Sequence, residues 1–285
     1  MVEEYLFPSS VGEALDCLEK YGGEARIIAG GTDLVLQLKR GGVEARALVD
    51  ITRIPELRGI REEGDYIVVG AATTHTEVAE SPLIQAKAKV LAMACKSIGS
   101  LQIRNVGTIG GNLVNAMPAA DSAIALTALD AEVEVVSKEG SRWVPISRFH
   151  QGVGRCCVDA TRELVRAVRF KPLCDNEGSA FKRLARRKAL ILPILNVGVV
   201  VGWEDGHFTR AAIAIGPVAP VPFRAKKAED VLIGAPVSRE SVEKAAWAAF
   251  EEARPRSSLL RGSAEYRKEM VQVLVRRALM EAAGI

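Results

Sequence analysis

The sequence predicts an α+β chain of two domains, and its patterning carries that prediction. Up to about residue 170, short β-type runs are interleaved with stretches of helical periodicity. Beyond it, strands come first and helices follow, the order expected of a compact α+β unit. The 285 residues are enough to bury more than one core.

In chain order, "SVGEALDCLEKY" (10–21) places Val11, Ala14, Leu15 and Leu18 at helical spacing after a serine start, and Gly22-Gly23 stops it. "ARII" (25–28) is a short strand, and Thr32 and Asp33 suit the start of a helix in "LVLQLKR" that Gly41-Gly42 ends. Strands are predicted at 47–51, 57–63 and 66–72, then a helix from about Ser81 to Ile98. Another helix begins near Pro118, because proline is tolerated at the first helical position. Strands at 131–137, 143–146 and 163–170 complete the first unit, and "KPLCDNEGS" (171–179) reads as a linker or surface loop. Strands in "AFKRLA" and across 193–217 follow, with a hairpin signal at Glu204-Asp205-Gly206. Helices are predicted in "AKKAEDVLIG", "SRESVEKAAWAAFEEAR" and "SAEYRKEMVQVLVRRALMEAA".

Composition excludes several classes. Hydrophobic residues make up 48% and charged residues 26%, a globular profile. No apolar stretch approaches the roughly 20 residues that span a bilayer. The tract "ALILPILNVGVVVGW" (189–203) holds a proline, an asparagine and glycines and reads as buried strands. The start, "MVEEYLFPSS", is acidic and unlike a signal peptide, so a cytoplasmic location is expected. A net charge of +3 does not argue for nucleic acid. The basic run "FKRLARRK" (181–188) has no interleaved aromatics and reads as a solvated face or partner contact. Cys17, Cys95, Cys156, Cys157 and Cys174 form no C-x-x-C pair, and the three histidines are far apart, so no metal site is expected.

Two segments share one grammar. "AGGTD" (29–33) follows a strand and opens a helix; "TIGGN" (108–112) repeats the glycine pair beside hydroxyl and amide side chains. Glycines let the backbone turn through positive φ and approach a ligand closely, and successive main-chain N–H groups in such a turn cradle anions. A glycine pair alone is most often a tight turn, but two such loops could clamp a diphosphate from both sides. Neither fits the G-x-G-x-x-G or P-loop pattern, which disfavours a doubly wound dinucleotide fold.

Taken in order, "AGGTDL" (29–34), "GAATTH" (70–75), "IRNVGTIGGNLVNAMPAADS" (103–122), "AFKR" (180–183) and "GSAEYRKEMVQVLVRRAL" (262–279) resemble the FAD-binding medium subunit of molybdenum hydroxylases of the carbon monoxide and xanthine dehydrogenase type. The resemblance implies a two-subdomain FAD-binding fold of the vanillyl-alcohol-oxidase (PCMH) type over 1–172, divided at about 55. A small α+β C-terminal domain over 178–285 would follow. It assigns Ile27, Ile28, Ala29, Gly30, Gly31, Thr32, Asp33 and Leu34 to one FAD-diphosphate loop. Thr108, Ile109, Gly110, Gly111 and Asn112 form the other. Thr73 and Thr74 would lie near the cofactor, and Ile98 and Val158 would be apolar contacts. Asp121 would accept a hydrogen bond from a ribose hydroxyl or flavin N–H, its plainer role being a first-turn helix acid. Lys182 would stand near the flavin as a cation.

Departures from the family pattern are the Cys156-Cys157 pair and Ile191 or Leu192 where the carbon monoxide enzymes place a tyrosine over the flavin. No iron–sulfur insertion is present. The implied function is electron transfer: from [2Fe–2S] clusters of a small subunit, fed by a molybdenum-cofactor large subunit, through FAD to an external acceptor, in an (αβγ)2 assembly. Two other readings are a self-contained FAD-dependent oxidase of the same fold and a scaffold that has lost FAD.

Overall fold

The computed structural model describes residues 2–285. The chain begins with β1 (Glu4–Leu6), α1 (Val11–Lys20), β2 (Ala25–Ile28), α2 (Leu34–Lys39) and β3 (Ala47–Asp50), whose strands form a parallel sheet in the order β1-β3-β2. The Ser10 side chain caps α1 by accepting from the Glu13 N–H, and Val11, Ala14, Leu15 and Leu18 turn their stripe inward. Sequence pattern does not reveal β1. Three residues are too few to show alternation, and only pairing with β3, Glu4 opposite Ala47, defines the strand.

A 3-10 turn (Pro55–Leu57) leads to β4 (Ile60–Glu63) and β5 (Tyr66–Gly70). Then come α3 (His75–Glu80), α4 (Pro82–Lys87), α5 (Lys89–Ser97), α6 (Leu101–Arg104), α7 (Ile109–Val114) and α8 (Asp121–Ala128). β6 (Glu132–Ser137), β7 (Gly140–Pro145), α9 (Ile146–Phe149), β8 (His150–Gly152), β9 (Arg155–Cys156) and β10 (Leu164–Phe170) complete this unit, with β8 and β9 as a separate ribbon. Its main sheet is antiparallel, ordered β4-β5-β10-β6-β7. A connection at 171–176 precedes β11 (Glu177–Leu184), β12 (Leu195–Glu204), β13 (His207–Gly216) and β14 (Phe223–Arg224), an antiparallel four-stranded sheet. α10 (Lys226–Leu232), α11 (Arg239–Glu252) and α12 (Ala264–Ala283) close the chain.

Three expectations differ from the structure for local reasons. The helix expected over 81–98 is two helices, α4 and α5. Ser81 ends α3 and caps α4, where Pro82 takes the first position, and Ala88, at φ −157 and ψ 52, breaks the next boundary. The helix expected near Pro118 begins only at Asp121. The strand expected over 57–63 is shortened to β4 by the 3-10 turn before it.

The last sheet is buried on both faces, which explains the unbroken apolar run in β12. Val197, Val199 and Val201 pack with α10–α12, whereas Val200 joins Ile124 and Ala125 of α8 in the core of the preceding unit. β11 obeys the same parity. Ser179, Phe181 and Arg183 face α5 and α8, whereas Gly178, Ala180 and Lys182 face the C-terminal helices.

Gly178 brings β11 against α12 so closely that a Cβ would stand 1.9 Å from the Ala282 carbonyl oxygen. Gly178→Ala is expected to force strand and helix apart and lower stability by about 2 kcal/mol, read from urea unfolding. An unchanged midpoint and slope would show that the contact is not tight in solution.

Candidate functional site

The two glycine segments lie side by side at the junction of the first two sheets. A Cβ on Gly30 would meet the Val106 carbonyl oxygen at 1.9 Å, so only glycine lets the turn after β2 rest on the chain entering α7. Gly31 then turns at φ +66. Among the described residues, none accepts from the main-chain N–H of Gly30, Gly31, Thr32 or Asp33. Four consecutive free donors beside a left-handed glycine form an anion-cradling turn.

The second segment is built otherwise. Thr108 caps α7, its hydroxyl accepting from Gly111 N–H at 3.1 Å. Ile109 N–H donates to Thr73 O, Gly110 N–H to Ala71 O and Asn112 N–H to Thr108 O, all within 3.0 Å. "TIGGN" is therefore not a second open cradle: its amides are spent inside the chain, and its glycines serve close packing. Gly110 is pressed on Ala71, where a Cβ would come within 2.6 Å of the alanine methyl. Asn112 still offers a donor, because Ser122 Oγ donates to its carbonyl oxygen at 2.7 Å and leaves the amide NH2 free of that contact.

Both segments border one cleft of about 410 Å³. Of the residues named from sequence, Ile27, Ile28, Ala29, Gly30, Gly31, Thr32, Asp33, Leu34, Ile98, Thr108, Gly110, Gly111, Asn112 and Val158 line it. Ile109 is fully buried behind the wall. Thr73 and Thr74 do not line the cleft. Thr73 is buried with its hydroxyl on Gly59 O at 3.2 Å, and Thr74 caps α3 in a reciprocal pair with Glu77 and bridges to Thr108.

Asp121 and Lys182 differ most from expectation. Asp121 is 5% exposed, does not line the cleft, and is bonded to the C-terminal sheet. Its carboxylate accepts from Asn196 Nδ2 at 2.6 Å and Arg183 Nε at 3.2 Å. Burial raises its pKa, and the Arg183 charge opposes that rise. Lys182, by strand parity, points to the far face of β11 and pairs with Glu281 of α12, so its ammonium does not reach the cleft. The neighbouring cation, Arg183, occupies the near face. It also donates to Ile191 O, tying down the loop after β11, while Leu190 N–H bonds Gly99 O beside Ile98. The basic run is thus partly consumed within the chain, and the loop that carries exposed Leu190 and Leu192 is tied to Gly99, next to cleft residue Ile98.

His75 is a cleft residue that sequence reasoning does not single out. It lines the cleft at 2% exposure, its Nδ1 has no partner, and burial together with Arg104 lowers its pKa to about 4, so it is uncharged at neutral pH. Its one signal is its place in "GAATTH", after two threonines that do not themselves line the cleft. No group of residues suited to hold a metal ion occurs among the described residues. The donor run at 30–33, the Asn112 amide and the apolar wall at Ile98 and Val158 fit a dinucleotide whose diphosphate meets the glycine turn.

Comparison with known proteins agrees with that fit. Residues 1–172 match the FAD binding domain in molybdopterin dehydrogenase, and residues 179–282 match the CO dehydrogenase flavoprotein C-terminal domain. The carbon monoxide dehydrogenase medium chain of Hydrogenophaga pseudoflava is 35% identical over 279 residues, covering 98% of this chain and 96% of that one. The xanthine dehydrogenase FAD-binding subunit of Escherichia coli O157:H7 is 35% identical over 263 residues, covering 92% and 89%. In structure, carbon monoxide dehydrogenase from H. pseudoflava lacking the Mo-pyranopterin moiety superposes with a TM-score of 0.94 at 35% identity, over 100% of this chain and 98% of that one. Quinoline 2-oxidoreductase from Pseudomonas putida 86 gives 0.92 at 27%, over 100% and 98%. With both of its domains matched and its length shared with these relatives, the chain belongs to the FAD-binding flavoprotein subunits of the molybdopterin-dependent dehydrogenases.

Proposed function

We propose that the chain holds FAD in this cleft and works as the electron-transfer subunit of a cytoplasmic molybdenum hydroxylase. Its partners would be a large molybdenum-cofactor subunit and a small [2Fe–2S] subunit in an (αβγ)2 assembly. The observation that carries the reading is the run of four free N–H groups at residues 30–33 opening onto a largely apolar cleft. Bound FAD supplies the exchange between single-electron and two-electron transfer; the protein supplies binding, orientation and electrostatics.

The residues divide the work between two loops of unequal kind. The 30–33 turn donates hydrogen bonds to the diphosphate, a role that needs fixed main-chain dipoles rather than side-chain charge. Thr108, Gly110, Gly111 and Asn112 shape the facing wall, where the Asn112 amide is an available donor. Ile98 and Val158 offer apolar surface to the ring system. His75 contributes an uncharged imidazole edge, held neutral by burial. Asp121 acts at one remove: through Arg183 it fixes the loop that presents Leu190 and Leu192.

Gly30→Ala is expected to displace the 106–107 backbone and lower FAD affinity at least tenfold, about 1.4 kcal/mol, with the far-ultraviolet dichroism retained. Gly42→Ala, where the added carbon meets only an ordinary contact, serves as control. Equal flavin content in both would show that the 30–33 turn does not hold the cofactor. Asp121→Asn is expected to free the loop after β11, so that trypsin cuts at Arg186, Arg187 or Lys188 several-fold faster. Cleavage at the wild-type rate would show that Asp121 does not position that loop.

A further inference from the structure

His75 opens α3, and its main-chain N–H donates to Gly107 O at 3.0 Å, so the imidazole is anchored beside the chain that enters α7. Its two ring nitrogens have different surroundings. Nδ1 is sealed from solvent and has no hydrogen-bond partner. Nε2 also lacks a partner among the described residues, yet it is not shut away as Nδ1 is. The Nε2 side of the ring is the side that meets the cleft wall. A Cβ on Gly107, itself a cleft residue, would stand 3.4 Å from Cδ2, the ring carbon bonded to Nε2. The same point lies 3.8 Å from Thr32 Oγ1, in the turn whose amides are free. Gly107 thus keeps a gap open between the imidazole and the Thr32 hydroxyl, and any side chain there would enter it.

Burial, with Arg104 adding to it, keeps the ring uncharged at neutral pH. Arg104 of α6 is held on the Ile98 carbonyl at 3.0 Å, and Glu77 of α3 is engaged by Thr74 and Arg58. A neutral imidazole carries one N–H and one bare nitrogen. A sealed N–H without an acceptor is the costlier orphan, so the bare nitrogen belongs at Nδ1 and the proton at Nε2. The cleft therefore receives a donor from His75 as well as from the main chain.

We infer that His75 is a further donor of the anion cradle, its Nε2–H joining the amides of residues 30–33 on an oxygen of the cofactor diphosphate. The inference deepens the FAD reading of the cleft and rests on it. A neutral ring supplies a directed hydrogen bond without a second buried charge beside Arg104, and an anionic acceptor makes that bond a strong one.

The test strips the full chain of flavin and titrates it with FAD and with ADP in a calorimeter, folding being checked by far-ultraviolet dichroism. His75→Phe keeps a ring but has no donor, and should weaken both ligands at least tenfold and by the same factor. His75→Gln, whose amide nitrogen can donate from a similar place, should recover most of that loss. A nitrogen-15 histidine spectrum of the wild-type chain needs no substitution: it should show a buried neutral histidine protonated on Nε2, whose signal shifts when ADP is added. Unchanged affinity in His75→Phe, equal loss in the Phe and Gln variants, loss for FAD but not ADP, or a histidine spectrum indifferent to ADP would overturn this inference and leave the FAD site standing. A wild-type chain that takes up no FAD would overturn the reading of the cleft and this one with it.

Discussion

One backbone-on-backbone contact organises the site: the turn at Gly30 resting against the Val106 carbonyl. It joins a segment that follows a parallel strand to one that opens α7, far along the chain. With no side chain between them, the two backbones meet at a separation no other residue permits. The turn is thereby braced from behind, and the amides at 30–33 are free to face the cleft. These half-exposed donors are satisfied by water when the cleft is empty, and four together at its edge form a place that an anion can take over.

A second constraint joins the two domains. Asp121 is a carboxylate almost without solvent, and burial alone would favour its neutral form. Arg183 and Asn196, both from the C-terminal sheet, supply the charge and hydrogen bonds that offset this. Removing one partner from such a buried pair costs about 3–5 kcal/mol, several times what most surface ion pairs contribute. The same arginine reaches Ile191 O, so the domain junction and the loop beside the cleft share one side chain.

Much of this is legible in the sequence. Glycine pairs beside threonine mark both walls of the cleft, because backbone permissiveness is written in composition. The α+β order and most strands follow from periodicity. What sequence does not carry is direction. "AGGTD" and "TIGGN" look like twins, yet one leaves its amides open and the other spends them on Thr73, Ala71 and Thr108, partners that only the fold supplies. Lys182 and Arg183 are neighbours in a basic run; which of them faces the first domain is fixed by pairing with β12, where a shift of one residue exchanges the faces. Asp121 stands out in the sequence, but its partners come from residues 183 and 196, beyond the reach of local pattern. His75 does not stand out, because an isolated histidine carries no signal until burial and the cleft are known.

The double-sided burial of the last sheet has a consequence for electron flow. β11 and β12 belong to two cores at once, so the domains share walls rather than being tethered by a flexible joint. Any redox group seated in the cleft is therefore fixed in position relative to the outer helices and the α11–α12 loop. Tunnelling rates between centres fall steeply with separation. In the electron-transfer role proposed for this chain, such a build would act as a spacer of constant length between centres.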